Sequence, residues 1–316
     1  MSWFIFAALA TLGWGFADMF YKKSSENNDN YSHLKTAVWV GLIMGLVSVF
    51  LLITNGETDF SPLLINAIKY TPASLSYIIS MIIGYAGLRY LELSVISPVQ
   101  NASGAFSCIA MVIWFALCGK ITNITDEFSL LDIIGTAIII AGVVLLAVAE
   151  KRENTAKTSD KKYTSGALAL IFPLTYCLFD TIGTAADGII LDEDTGLGLS
   201  ETDVLILYGL TFLVAGIISF AYISIKTKKL YNPFAKSEMP KCVAAVCEET
   251  GQIFYVYAMA ANPVLSAPLV ASYCIISVIL SRIFLHEKLK KMQYSAVFIV
   301  IAGIVLLGIS EGISEV

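Results

Sequence analysis

Charge is scarce in this chain. Only 14% of its 316 residues are Asp, Glu, Lys or Arg, where a soluble globular protein carries about 25%. A surface facing water on all sides would need more, so most of this surface must meet another solvent. Histidine is nearly missing as well: His33 and His286 are the only two, which leaves few groups for acid–base work near neutral pH. There is no His-Glu-x-x-His, no phosphate-cradling Gly-x-x-x-x-Gly-Lys and no nucleophile elbow between a strand and a helix, so nothing supports an enzyme. Cys108, Cys118, Cys177, Cys242, Cys247 and Cys274 form no Cys-x-x-Cys pair and have no histidine near in sequence. They read as small apolar fillers rather than a disulfide framework or a zinc site, and no cofactor or metal is implied. The net charge of −5 excludes a generally basic nucleic-acid binder.

What the chain has is long apolar runs. It is 57% hydrophobic, with a mean hydropathy of +0.77. A bilayer core of about 30 Å takes about 20 consecutive apolar residues as a helix. Such runs predict helices near 2–21, 34–54, 73–93, 95–119 and 130–149, then near 164–191, 202–225, 240–260, 264–285 and 292–310. Runs such as 37–53 (AVWVGLIMGLVSVFLLI) do not alternate, as strands of a membrane barrel would. The first run has no basic residue before Trp3, and Lys22 and Lys23 follow it, so it reads as a retained span rather than a signal peptide. The expected fold is therefore an all-α integral membrane protein of ten transmembrane helices.

The loops carry charge on one side. The connections after helices one, three, five, seven and nine hold 18 of the 20 basic residues, and the other side has only Lys69 and Lys120. By the positive-inside rule the chain is expected as a multi-pass protein of the cytoplasmic membrane, with both termini outside and the charged linker 150–163 in the cytoplasm.

The halves also resemble each other. Ile140-Ala-Gly-Val-Val-Leu-Leu146 near the end of helix five returns as Ile301-Ala-Gly-Ile-Val-Leu-Leu307 in helix ten. Asp126 aligns with Glu287, Asp18 with Asp180, and Ser97-Pro98-Val99 with Asn262-Pro263-Val264. Five helices per copy is an odd number, so the second copy must be inverted. Equivalent loops carry opposite charge: lysines follow helix one, while Asp192, Glu193, Asp194, Glu201 and Asp203 follow helix six. The expected organisation is a repeat over 1–149, the linker 150–163, and an inverted repeat over 164–316. Inverted repeats recur in secondary transporters, with cargo held near the midplane.

At this point the sequence resembles the drug/metabolite transporter superfamily, EamA-like family. Leu12-Gly-Trp-Gly-Phe16 in helix one and His286-Glu287-Lys288-Leu289 with Gln293 and Ala302-Gly303 near the end carry the likeness. The resemblance covers the whole chain. It implies a transporter of small molecules and leaves the cargo open, from amino acids and amines to sugars and nucleotide conjugates.

Ionisable groups inside the membrane cost about 2.5–3.5 kcal/mol each on insertion scales, so they point to function. Glu248 and Glu249, near mid-depth in helix eight, align with Ile83 and Gly84 in helix three at the Pro98–Pro263 offset, so duplication does not explain them. They are the leading substrate or proton site; helix bracing is the alternative. Asp18 and Asp180 are repeat-related and are expected near opposite mouths, either as gates or ion filters or as hydrogen-bond partners of neighbouring helix ends. Asp187, two turns beyond Asp180, extends that acidic face toward an exit. Trp14, Tyr77, Tyr85, Tyr90, Tyr176, Tyr255, Tyr257 and Tyr273 lie within spans and add aromatic faces that attract cations, with headgroup anchoring the alternative for at least half of them. Gln100, Asn101 and Gln252 add polar wall. Pro98, Pro263 and Pro268 predict irregular backbone in helices four and nine. The expected function is secondary transport of a cationic amine-type molecule by alternating access, coupled to protons or a counter-substrate. The alternatives are transport of a neutral or zwitterionic metabolite, and a non-transporting sensor or enzyme. The expected partners are the small-molecule cargo and membrane lipid, with no nucleic acid, in a monomer or homodimer.

Overall fold

The computed structural model describes residues 2–25, 29–54, 60–91, 93–154, 171–286 and 291–314. Glu92, residues 155–163 of the expected linker with Lys157, Lys161 and Lys162, and Glu287, Lys288 and Lys290 lie outside the described residues. Among the described residues the regular structure is helical and no strand occurs. The elements are α1 (Trp3–Ser25), α2 (Ser32–Thr54), α3 (Phe60–Gly87), α4 (Leu93–Asn101), α5 (Ser103–Leu117), α6 (Ile124–Glu127) and α7 (Leu130–Asn154). After these come α8 (Ile171–Ile190), α9 (Glu201–Thr227), α10 (Met239–Ala261), α11 (Pro263–Ala271), α12 (Tyr273–Phe284) and α13 (Lys291–Ser314).

Among the described residues, six segments are long and apolar enough to cross a membrane: α1, α2, α4–α5 from Ile96, α9, α11–α12 and α13. Helices α3, α8 and α10 run 28, 20 and 23 residues, which at 1.5 Å per residue is sufficient length. Their hydropathy is diluted by groups such as Lys69, Asp180, Asp187, Glu248 and Glu249. The polar helices are thus the ones that build the site described below.

Two differences from the sequence reading concern backbone. Helix α3 starts at Phe60 instead of near 73 and carries Pro72 inside it. The segments expected as single helices four and nine are each broken in two, at Ala102 and at Ser272. Pro98 and Pro268 each stand four residues before their break. A proline supplies no N–H to the preceding turn and its ring crowds the carbonyl four residues back, so its own disturbance falls on the N-terminal side, whereas the two breaks follow the prolines at matching positions in the two segments. Pro263 instead sits at the first position of α11, where Asn262 Oδ1 accepts from the Leu265 N–H at 3.2 Å.

Helices pair closely: α1 on α10, α3 on α8, α2 on α9 and α7 on α13. Small residues allow it. A methyl on Gly13 would lie 2.9 Å from the Gly251 backbone, and one on Gly251 would collide with the Trp14 indole. A methyl on Gly209 would strike the Ser48 hydroxyl. Hydroxyls inside the bundle are satisfied by carbonyls one turn back: Thr11 on Ala7 at 2.7 Å, Ser48 on Met44 at 3.0 Å, Thr181 on Cys177 at 2.7 Å. Without water, such internal bonds are the available partners.

The two ends of the bundle differ. At the lysine-rich end, buried Lys22 donates to the carbonyls of Leu88 at 2.8 Å and Leu91 at 2.7 Å, just past the end of α3, a favourable place for a cation. Beside it, Asp29–Lys35 (2.6 Å), Lys35–Glu238 (3.2 Å) and Lys241–Glu238 (2.9 Å) tie the first half to the second. Arg89 bonds the Asn30 carbonyl and side chain at 3.2 and 3.0 Å. At the opposite, acidic end, Lys120 pairs with Asp192 and, at 3.1 Å, with Asp194. Trp3 Nε1 donates to Glu311 at 2.6 Å on that side.

Candidate functional site

The α1–α10 and α3–α8 pairs, with α4–α5, α9 and α11–α12, enclose a cavity inside the bundle. Three acids line it: Asp18, Asp180 and Glu248. So do eight aromatic residues, namely Trp14, Tyr21, Tyr77, Tyr85, Tyr176, Tyr208, Tyr255 and Tyr273, and the amides of Gln100, Asn101 and Gln252. No lysine, arginine or histidine is among the lining residues. The centre of a water molecule can range over about 50 Å³. One water needs about 10–15 Å³ on that measure, so the enclosed space suits about four waters or a small ligand group.

Glu248 is ten residues into the 23-residue α10, 6% exposed, with the Tyr21 hydroxyl as its neighbour. Trp14 Nε1 donates to the Glu248 backbone carbonyl at 3.2 Å, which locks the indole beside it. The Trp14 ring then meets Tyr255 at 5.0 Å and, edge-on, Tyr273 at 5.7 Å. Tyr21 and Tyr85 pack at 4.8 Å on the other side. A carboxylate with these faces around it is an environment for an organic cation. Glu249, one residue on and about 100° around the helix, is buried yet does not line the cavity.

Asp18 and Asp180 do not stand at two mouths, as expected from the sequence. Both face the same cavity. Asp18 Oδ2 accepts from Ser97 at 2.6 Å and Ser277 at 2.8 Å, so it joins α1 to α4 and α12. Asp180 Oδ2 accepts from Ser103 at 2.6 Å and joins α8 to α5. The broken segments are what deliver these serines: Ser103 opens α5 just after the break at Ala102. Asp187, expected to extend the acidic face toward an exit, is enclosed by the fold. It is fully buried and lies outside the cavity lining, among the hydroxyls of Tyr70, Tyr77 and Tyr255.

The polar wall falls as expected, with a difference in state. Asn101 Nδ2 donates to the Ser97 carbonyl at 2.8 Å. The Nε2 atoms of Gln100 and Gln252 are buried donors without a protein acceptor. Tyr257 leaves the site and stacks on Phe6 at 5.5 Å, and Tyr90 stacks on Phe172 at 5.3 Å. Tyr21, Tyr208, Met81 and Thr184 were missed by sequence reasoning and line the cavity. Among them Thr184, one helical turn after Asp180, was open to discovery by the same phase argument that links Asp180 to Asp187.

Comparison with known proteins agrees with this architecture. Residues 195–309 match the sequence model of the EamA-like transporter family. A solved structure described only as "Crystal structure of protein" superposes with a TM-score of 0.60 over 98% of each chain, at 13% identity. That likeness speaks for the fold. No curated protein matches the chain.

Proposed function

With residues 195–309 similar to EamA-like transporters and an acid-lined cavity inside a helical bundle, we propose that the chain is a secondary transporter for a small molecule carrying a cationic amine. The carrying observation is the composition of the cavity wall: three carboxyls and eight aromatic rings without a single basic side chain. Glu248 is the counter-ion, and Trp14, Tyr21, Tyr85, Tyr255 and Tyr273 supply the aromatic faces. A carboxylate that must lose its proton before holding a cation couples the two movements, so the cargo exchanges against protons.

Ten spans in two inverted halves of the cytoplasmic membrane remain the organisation we favour, and the helix contacts support it. If α1 corresponds to α8 and α3 to α10, the packing of α1 on α10 repeats as α8 on α3. Likewise α1 on α12 repeats as α8 on α5, while α2–α9 and α7–α13 are self-paired. The lysine-rich end is the cytoplasmic one on this reading. The breaks favour a register in which Pro98 corresponds to Pro268 rather than to Pro263. Glu248 then stands opposite Ile78 and Glu249 opposite Ile79, still without acidic counterparts.

The unpartnered amides of Gln100 and Gln252 favour a second reading, in which the cargo also carries an acceptor such as a carboxylate and is zwitterionic. Thermal shift on the detergent-purified protein tests both, since a ligand that binds only the folded state raises Tm. The panel is quaternary amines, polyamines, amino acids, sugars and nucleosides at two pH values. Stabilisation by amines, stronger at the higher pH, lost in Glu248→Gln and kept in Glu249→Gln, is the expected result. Amino acids outperforming simple amines selects the zwitterionic cargo. A neutral sugar or nucleoside that stabilises both variants equally overturns the cation site.

A further inference from the structure

Asp187 is 0% exposed, and both of its carboxyl oxygens lack a hydrogen-bond partner. The Tyr70 hydroxyl beside it is also fully buried and unpartnered. Three phenols surround the carboxyl, Tyr70 and Tyr77 from α3 and Tyr255 from α10, without meeting it in hydrogen-bonding geometry. Two of the three, Tyr77 and Tyr255, also line the cavity, and their hydroxyls are bonded to each other at 2.6 Å, with either able to donate. Tyr77 reaches Thr184 Oγ1 at 3.2 Å as well. The hydroxyl pair is therefore a polar path that starts at the cavity wall and ends beside an otherwise sealed acid, short of a hydrogen bond to it. On the far side Met111, Met259 and Pro263 crowd the neighbouring Gly188.

A buried acid with no partner needs one. The remaining charged or titratable groups near it are Asp180 on its own helix and Tyr208 from α9, which packs edge-on against Tyr77 at 5.5 Å. From α5 and α11 the nearby side chains are Met111 and Pro263, and no cation is among the groups acting on the acid. A metal ion would need a shell of about six oxygens and room for itself; one carboxyl outside the lining of the described cavity, with three phenols beside it, does not supply that shell. A proton needs no room.

We propose that Asp187 is a second proton-binding group, separate from the cargo carboxylate, loaded from the cavity through Tyr77 and Tyr255. In the loading step a hydronium in the cavity gives a proton to the Tyr77 oxygen and is left as water, Tyr77 passes its own to Tyr255, and Tyr255, once its hydroxyl turns onto the carboxylate, passes its own to an Asp187 oxygen. One proton moves, each phenol ends neutral, and Asp187 goes from carboxylate to acid. The acid then has an O–H to donate to Tyr70. A ligand that draws Tyr77 or Tyr255 toward the cavity breaks the path, so cargo and the Asp187 proton sense each other without contact. This rests on the transporter reading for its purpose, but the proton site stands or falls on its own.

Infrared difference spectroscopy of the purified protein against pH tests it, with the proton itself as probe. One protonated-carboxyl C=O band is expected to give way to carboxylate bands as pH rises, to be absent from Asp187→Asn, and to shift in frequency in Tyr70→Phe. Glu248→Gln keeps that band even if it abolishes amine binding, so failure of the cargo site and failure of the proton site are distinguishable. After a pH jump, Tyr77→Phe is expected to slow the change at least tenfold. An Asp187→Asn spectrum identical to that of the unaltered protein, at unchanged Tm, overturns the site; an unchanged rate in Tyr77→Phe overturns the relay.

Discussion

Asp18 and Asp187 occupy two junctions of the same bundle under opposite circumstances. At the junction of α1, α4 and α12, Asp18 takes two serine hydroxyls, Ser97 and Ser277, onto one oxygen. At the junction of α8, α3 and α10, Asp187 takes none, although three phenols are near. Both are aspartates in helices, and both were read from the sequence as gates. A carboxyl already bonded by three converging helices contributes to holding them. One that the fold leaves bare gains no hydrogen bond from the fold and is open to a partner that arrives. Asp187 is 0% exposed whereas Asp18, on the cavity wall, is only partly buried, so the more deeply buried of the two is the one without a partner.

The comparison breaks most sharply through stability. Hydrogen bonds to a charged group contribute about 1.5–3 kcal/mol each, so Asp18→Ala, which takes this acceptor from Ser97 and leaves Ser277 with the Tyr273 carbonyl at 3.2 Å, is expected to cost about 3 kcal/mol and lower Tm clearly. Asp187→Leu removes two unsatisfied acceptors and should leave Tm unchanged or raise it. Equal losses in the two variants would show that the Asp187 carboxyl is tied down after all. Ser277→Ala deletes one of the two Asp18 bonds and should cost about half as much as Asp18→Ala. Because Ser97 and Ser277 share one oxygen, each can partly compensate for loss of the other, so the double Ser→Ala variant should cost more than the sum of the singles. Strict additivity in denaturation would mean that the serines act independently of Asp18.

Much of this arrangement was legible beforehand, and the failures have physical causes. Mid-helix acids are costly in a bilayer, so Glu248 stood out, and the tryptophan and tyrosines around it followed from helical spacing. The choice between Glu248 and Glu249 was beyond reach because a helix's phase is set by its neighbours, here Trp14 on α1. Pro98 announced a break but its partner was misassigned: Ser-Pro-Val and Asn-Pro-Val look alike, yet Pro263 opens a helix while Pro268 precedes the break. The first turns of α3, with Lys69 and Pro72 close together, resembled a loop and hid Tyr70. Tyr21 and Tyr208 carry no signal that separates a cavity wall from an interfacial anchor.

A third acid, at the water's edge, offers the mildest contrast. Burial works to raise the Asp192 carboxyl, but the Lys120 ammonium and the Thr195 N–H and hydroxyl (2.8 and 2.9 Å) outweigh it and hold the group below the usual aspartate range. A group depressed in the folded state stabilises above its unfolded pKa, about 3.9 for aspartate, and loses that contribution as pH falls through the folded value. Lys120 has 33% of its side chain exposed, so solvent screening keeps the pair to under about 1 kcal/mol. Lys120→Met should therefore lower Tm slightly at pH 7, and the gap to the unaltered protein should close below about pH 3.9 and narrow in high salt. A gap that persists unchanged at low pH would assign the effect of Lys120 to its packing over the Phe115 ring, 5.3 Å away, and would leave Asp192 held by its own loop. Of the three acids, Asp192 is then the one whose partner can be removed without disturbing the membrane-buried helices, which makes it the reference for how little an accessible ion pair contributes beside the buried Asp18 junction.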